Sequence, residues 1–373
     1  MRFLSVFQKT LREARRSLRR FAFPRDQSAA KSVKVFESSR QTRHHEFVRF
    51  PKSPTRILVV RGGAIGDFIL TLPVLAALRG HCPKAAIEVL GYPHIAELAV
   101  AGGLADVVYP IESPLLSQMF VRGDVLPESV GQFFRRFDLV ISYIYDPDCI
   151  FQENVRRLSR GTYLRGCHRP DEHAAQHATM TLLEPLRSLG FDNPDPVPRL
   201  RIPITNQVLD TESAVPTLAV HPGSGSTRKN WPEDSWANLL GQLAKRTNWH
   251  LLMIAGEAEG QRADRLASLW PKNRVTLARN LSLTRLAALL ESASAFVGHD
   301  SGITHLAAAL GVETLALWGP TNPVVWRPLG ANVRLLANPV GISELGVEAV
   351  LDACLELIQK KSTQPGNLTG SNA

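Results

Sequence analysis

RILVVRGGAIGDF, residues 56–68, decides how the rest of the chain is read. Arg56 to Arg61 is a short run rich in β-branched residues that stops at Gly62 and Gly63, the pattern of a buried strand ending in a turn. From Asp67 to Arg79 apolar residues recur at helical steps through Ile69, Leu72, Leu75, Ala76 and Leu78. Strand, glycine turn and helix in that order open a doubly wound α/β sheet, whose ligands bind at the carboxyl ends of the strands. Glycine lets the backbone approach a ligand closely, and the start of a helix favours anions.

Outward from this unit the alternation continues. Strands are expected at 86–90, 107–110 and 139–142, with helices over 94–101 and from about His173 to Leu189. Pro194, Pro196, Pro198 and Pro203 then mark a connection between domains. TLAVH, residues 217–221, repeats the opening, again running into a glycine turn at 222–225. Helices at 234–246, 261–269, 283–292 and 302–310 interleave with strands at 250–255, 295–298 and 314–318. Strands that alternate with helices imply parallel sheets. The expected fold is therefore α/β, with two Rossmann-like doubly wound domains facing a cleft. Its boundaries are a basic arm and linker at 1–54, a first domain at 55–200, a second at 201–360 and a disordered tail at 361–373.

Length and composition agree. A chain of 373 residues, 44% hydrophobic and 21% charged, suits two globular domains of roughly 150 residues. The four cysteines, Cys82, Cys149, Cys167 and Cys354, show no C-x-x-C spacing, which fits a reducing, cytoplasmic setting without a disulfide framework. No apolar run approaches the ~20 residues of a spanning helix.

The net charge of +9 is uneven, because the first 25 residues hold eight Arg or Lys against the single acid Glu13. Phe3, Phe7, Leu11, Ala14, Leu18 and Phe21 form an apolar stripe opposite that basic face. Such a helix suits an anionic membrane surface, placing the protein peripherally on the inner face of the cytoplasmic membrane; docking on a protein is the plainer alternative. No nucleic-acid-binding module follows the arm, so no nucleic-acid partner is expected.

Three turns carry chemistry. In Arg61-Gly62-Gly63-Ala64-Ile65-Gly66-Asp67 the acid is either a first-turn helix cap or a general base facing the cleft, and spacing does not choose. HPGSGSTRKNWP, residues 221–232, sets hydroxyls and small residues beside Arg228 and Lys229, a loop able to wrap a diphosphate. GHDSGITH, residues 298–305, opens a helix with Asp300, Ser301 and Gly302, which serve equally as caps or as an anion site, and brings His305 behind them. WGPTNP, residues 318–323, forms a further turn at the cleft edge.

Other chemistries fit poorly. GGAIGD does not match G-x-G-x-x-G and no G-K-[ST] follows, which disfavours a dinucleotide or P-loop site, so no cofactor is expected. Glu172, His173 and His177 would set two histidines on one helical face, as metal ligands do, yet the H-E-x-x-H order and a third ligand are missing, and no metal site is expected.

Together these segments resemble glycosyltransferase family 9, the ADP-heptose:lipopolysaccharide heptosyltransferases. The family's opening pattern looks like Ile57 to Pro73, its middle pattern like His173 to Phe191, and its second-domain patterns like His221 to Trp236, Ala255 to Leu266 and Val297 to Pro328. The last includes DSGITHLAAALG at 300–311. The resemblance implies a GT-B type fold and inverting, metal-independent transfer of a heptose from ADP-heptose to a lipopolysaccharide-type glycolipid. By it, Asp67 matches the general base, and Ser224 and Lys229 match positions holding the donor diphosphate. Glu257 or Glu259 matches the ribose-binding acid, and Asp300, Ser301, Gly302 and His305 the donor phosphate turn. Arg61, Gly62 and Gly63 fall on the acceptor side, where family members commonly carry serines instead of the two glycines. The alternative from another class is a non-catalytic nucleotide-sugar-binding or scaffold protein on the same fold.

Overall fold

A computed structural model describes residues 54–123, 125–203, 215–256 and 259–362. The basic arm, most of the polar tail, and Glu257 lie outside these residues.

The first half is a five-stranded parallel sheet in the order β3-β2-β1-β4-β5. Its strands are β1 Arg56–Arg61, β2 Ala86–Gly91, β3 Val107–Pro110, β4 Leu139–Ser142 and β5 Thr162–Arg165. In register, Val59 pairs with Val89 on one side and Ile141 on the other. Among the described residues it is accompanied by the helices α1 Ile65–Ile69, α2 Leu72–His81, α3 Pro93–Ala101, α4 Pro114–Ser117, α5 Glu128–Arg135, α6 Ile150–Leu158 and α7 Ala178–Arg187.

The second half has six parallel strands in the order β11-β10-β9-β6-β7-β8. These are β6 Thr217–His221, β7 His250–Ala255, β8 Val275–Arg279, β9 Ala295–His299, β10 Glu313–Trp318 and β11 Val333–Ala337. Its helices are α8 Glu233–Arg246, α9 Arg262–Ala267, α10 Leu283–Ser292, α11 Gly302–Ala309, α12 Pro323–Trp326 and α13 Val347–Ser362. Among the described residues no helix is long and apolar enough to cross a membrane.

In both sheets the strand order reverses at one point, between β1 and β4 and between β6 and β9. That reversal opens the crevice in which doubly wound folds bind ligands. The central strands β4, β6 and β9 are buried along their whole length, as near-continuous apolar runs dictate.

The two halves are packed directly together. One apolar cluster joins Ile57, Leu75 and Leu98 of the first half to Phe296, Ile303 and Leu306 of the second. At its rim α1 meets α11 glycine to glycine: a Cβ on Gly302 would stand 2.6 Å from Ile65 Cβ and 2.8 Å from Gly66 N. Only hydrogen fits there. The connecting segment is tied down as well, Leu200 N donating to Ala309 O at 2.8 Å.

Two expectations need correction. The helix expected from Asp67 to Arg79 is two helices, α1 and α2, broken at Leu70–Thr71, because Pro73 near the start of α2 has no N–H to continue the ladder. The helix expected from about His173 starts only at Ala178. Before it, Asp171 makes a turn, its Oδ1 accepting His173 N at 3.0 Å, and His177 is the N-cap. His173 and His177 therefore do not share a helical face.

Candidate active site

A cavity of about 650 Å³ lies between the halves where their two reversal points face each other. The first half contributes the turn after β1, Arg61 to Asp67, together with Tyr143 after β4, and His168, Arg169 and Glu172 after β5. The second contributes Gly225 and Lys229 after β6, Asp300, Ser301, Gly302 and His305 after β9, and Thr321 and Trp326 after β10.

Asp67 closes the first turn of α1 and also reaches the cleft. As the third residue of α1 it closes a turn over Ala64, Oδ2 accepting the Ala64 N–H at 2.9 Å. Oδ1 stands 3.7 Å from Arg61 Nη2, and the side chain is 34% exposed to the cleft. Gly63 makes this possible, since at φ +100° a Cβ there would press on Asp67 Oδ2 at 2.7 Å. Arg61 is itself buried and pinned, donating to His168 O at 2.9 Å and Asp67 O at 3.1 Å. Burial lowers its pKa while Asp67 pulls the other way. Nearby, burial followed by repulsion from Arg61, Arg169 and Arg165 holds His168 below the ordinary histidine value. Two arginines, Arg61 and Arg169, and two acids, Asp67 and Glu172, line this side of the cavity.

Across the cavity Lys229 Nζ pairs with Asp300 Oδ2 at 2.7 Å. Ser301 is the N-cap of α11, its Oγ accepting Thr304 N at 3.4 Å, and the N–H groups of Gly302 and Ile303 ahead of it are those that helix geometry leaves without a partner inside the helix. A lysine and a helix N-terminus therefore flank one wall, both suited to an anion. His305 is buried behind that wall, and desolvation lowers its pKa to about 4, so it is neutral at neutral pH.

Two further candidates stand back from the cavity. Ser224 Oγ lies 2.8 Å from Ser226 O and 2.7 Å from Asn230 Oδ1, so its hydroxyl shapes the loop. Glu259 is buried against the glycine turn, Oε1 lying 3.5 Å from His221 Nε2 and Oε2 accepting Gly256 N at 2.5 Å. The contact with His221 does most to hold its pKa down to about 2. His221 in turn lies 3.4 Å from Ser301 Oγ through Nδ1, linking Glu259 to the α11 cap.

Sequence reasoning missed Tyr143, His168, Arg169 and Trp326, which also line the cavity, whereas Thr321 lies in the cleft-edge turn 318–323 that it singled out. Glu172 drew attention for the wrong reason. It holds Asn322 and Trp326 of the other half, and His177 donates from Nε2 to Arg327 O at 2.8 Å. Among the described residues no three His, Cys, Asp or Glu side chains gather as a metal-binding group.

Comparison with known proteins follows the same lines. Residues 146–345 match the family described as Glycosyltransferase family 9 (heptosyltransferase). A stretch of 118 residues is 42% identical to lipopolysaccharide heptosyltransferase 1 of Pseudomonas aeruginosa, covering 31% of this chain and 32% of that relative. Lipopolysaccharide heptosyltransferase 1 of Salmonella typhimurium is 25% identical over 308 residues, covering 76% of this chain and 94% of the relative. The solved Escherichia coli heptosyltransferase WaaC with ADP has the same fold, with a TM-score of 0.62 at 23% identity over 81% of this chain and 99% of that one.

Proposed function

Because this chain belongs to glycosyltransferase family 9, and is accordingly a glycosyltransferase of GT-B architecture, we propose that it transfers a heptose from ADP-heptose to a lipopolysaccharide-type glycolipid with inversion at the anomeric carbon. The observation that carries this reading is the pairing across one cavity of an acid on the first half with a lysine and a helix N-terminus on the second.

The chemistry follows from that opposition. Asp67 takes the proton from an acceptor hydroxyl, the freed oxygen attacks the anomeric carbon of the donor sugar, and the bond from that carbon to the diphosphate breaks. Attack comes from the face opposite the leaving group, so the configuration inverts. Charge developing on the departing ADP is met by Lys229 and by the N–H groups that open α11, which supply positive potential without a divalent cation. Lys229, now bound to Asp300 at 2.7 Å, exchanges part of that contact for phosphate oxygens. Ser301 and Gly302, at the start of α11, line the same wall. Arg169, which lines the cavity from the segment after β5, is the group we assign to acidic groups on the acceptor. The bound ADP of the Escherichia coli enzyme and the names of the relatives support the choice of donor.

A thermal-shift titration with ADP, GDP, UDP and NAD, each with and without EDTA, tests the reading. ADP alone should stabilise the protein, by about 2.7 kcal/mol at roughly a hundredfold excess over Kd, and EDTA should not remove the effect. Stabilisation by another nucleotide, or its loss in EDTA, would replace the donor or the metal-free mechanism.

A further inference from the structure

Residues 166–177, which carry no helix or strand, leave β5 and reach the turn between β10 and α12 in the other half. Both carboxylate oxygens of Glu172 are taken there. Oε1 accepts the Asn322 N–H at 2.8 Å and Oε2 the Trp326 Nε1–H at 2.5 Å. The Glu172 carbonyl also accepts from Asn322 Nδ2 at 2.9 Å. The turn so held carries Thr321, whose carbonyl accepts Trp318 Nε1 at 2.7 Å and whose hydroxyl donates to Asp300 Oδ2. That same oxygen receives Lys229 Nζ at 2.7 Å.

An unbroken series of polar contacts thus runs from the acceptor-side half to the lysine of the donor wall. We infer that Glu172 is a positioning residue for the donor site: through the Asn322–Thr321 turn it fixes Asp300, and through Asp300 it sets where Lys229 presents its charge. Bonds to a carboxylate are the stronger class of hydrogen bond, so Glu172 holds the turn more firmly than a neutral side chain would. Thr321 and Lys229 share one oxygen of Asp300, so a turn that slips changes the competition for that oxygen and the position of the ammonium group. The inference rests on the role of Lys229 as a diphosphate ligand.

A double-mutant cycle read by ADP calorimetry tests it. Glu172→Gln keeps the shape of the side chain but replaces one acceptor with a donor, leaving Asn322 N–H or Trp326 Nε1–H unmatched. Thr321→Val cuts the next link. Each change is expected to raise the Kd for ADP at least about fivefold, the low end for coupled sites. The double variant is expected to bind no worse than the weaker single one, because both break the same series. A purely structural role would lower the unfolding temperature without this non-additivity. Multiplying losses, or an unchanged Kd in Glu172→Gln, would overturn the inference. If Glu172→Gln does not fold, Trp326→Phe removes the indole donor of the same contact, with the same two outcomes against Thr321→Val. Wild-type protein that fails to bind ADP would overturn the donor assignment and the inference with it, whereas wild-type binding with an indifferent Glu172→Gln overturns the inference alone.

Discussion

Asp67 holds the Ala64 N–H with one carboxylate oxygen while the other faces Arg61 in the cleft, so an isosteric change separates cap from base. Asp67→Asn keeps an acceptor for the cap but has no basic carboxylate. Transfer should fall by ~10²–10⁴-fold, the usual contribution of a general base, while ADP binding and unfolding temperature stay near wild type. Wild-type turnover in that variant would remove the base assignment. On the opposite wall, Lys229→Ala should weaken ADP binding by ~1.5–3 kcal/mol, the scale of a charged hydrogen bond, as read by calorimetry; unchanged affinity would exclude a phosphate contact. The sequence pointed to both residues because each sits at the end of a strand beside glycines. It could not choose between cap and base for Asp67, since a first-turn acid at the cleft has the position for either. Glu172 was noticed only as a neighbour of histidines, because its partners Asn322 and Trp326 lie 150 residues or more away in the chain.

The meeting of α1 and α11 decides how closely the walls of the site approach. Gly302 has no room for a Cβ, with Ile65 Cβ at 2.6 Å and Gly66 N at 2.8 Å from where it would stand. Gly302→Ala should therefore push the two helix starts apart, costing ~1–3 kcal/mol in urea unfolding, the range for overpacked contacts, and weakening ADP binding as well. Full stability would mean that the contact yields without strain. Elements with apolar, buried faces were legible: β6, β7 and α10 run as the pattern predicts, at Thr217–His221, His250–Ala255 and Leu283–Ser292. The edge strands β8 and β11 were not, because they lie mostly half-exposed and their sequences, VTLAR and VRLLA, show no run of buried residues. Residues 173–177 were taken into the helix because the apolar spacing that suggested it belongs to α7, which starts at Ala178.

For the molecule as a whole, buried neutral histidines set the response to acid. His299 is fully buried, its Nε2 accepting from Trp231 N at 2.9 Å and Trp236 Nε1 at 3.2 Å, and desolvation lowers its pKa to about 3 from the ordinary 6.5. His305 is held near 4 by the same cause. Unfolded imidazoles take up protons around 6.5, so below that pH the unfolded chain binds more protons than the native one. Stability should thus fall on acidification between about pH 6.5 and 3, with Glu259 adding a further loss as pH falls from 4.5 towards 2, and show no slope from these groups above 6.5. Unfolding temperatures across the range check this. His299→Gln should flatten the profile; an unaltered slope would move the proton uptake elsewhere.

The apolar cluster that joins Phe296 and Leu306 to Ile57 and Leu75 has a genetic corollary. Side chains of the two halves pack into one core, independently of the residues between 203 and 215. Split there, the gene would encode two polypeptides, each completing its own sheet, and each carrying one wall of a site that exists only when the fragments reunite.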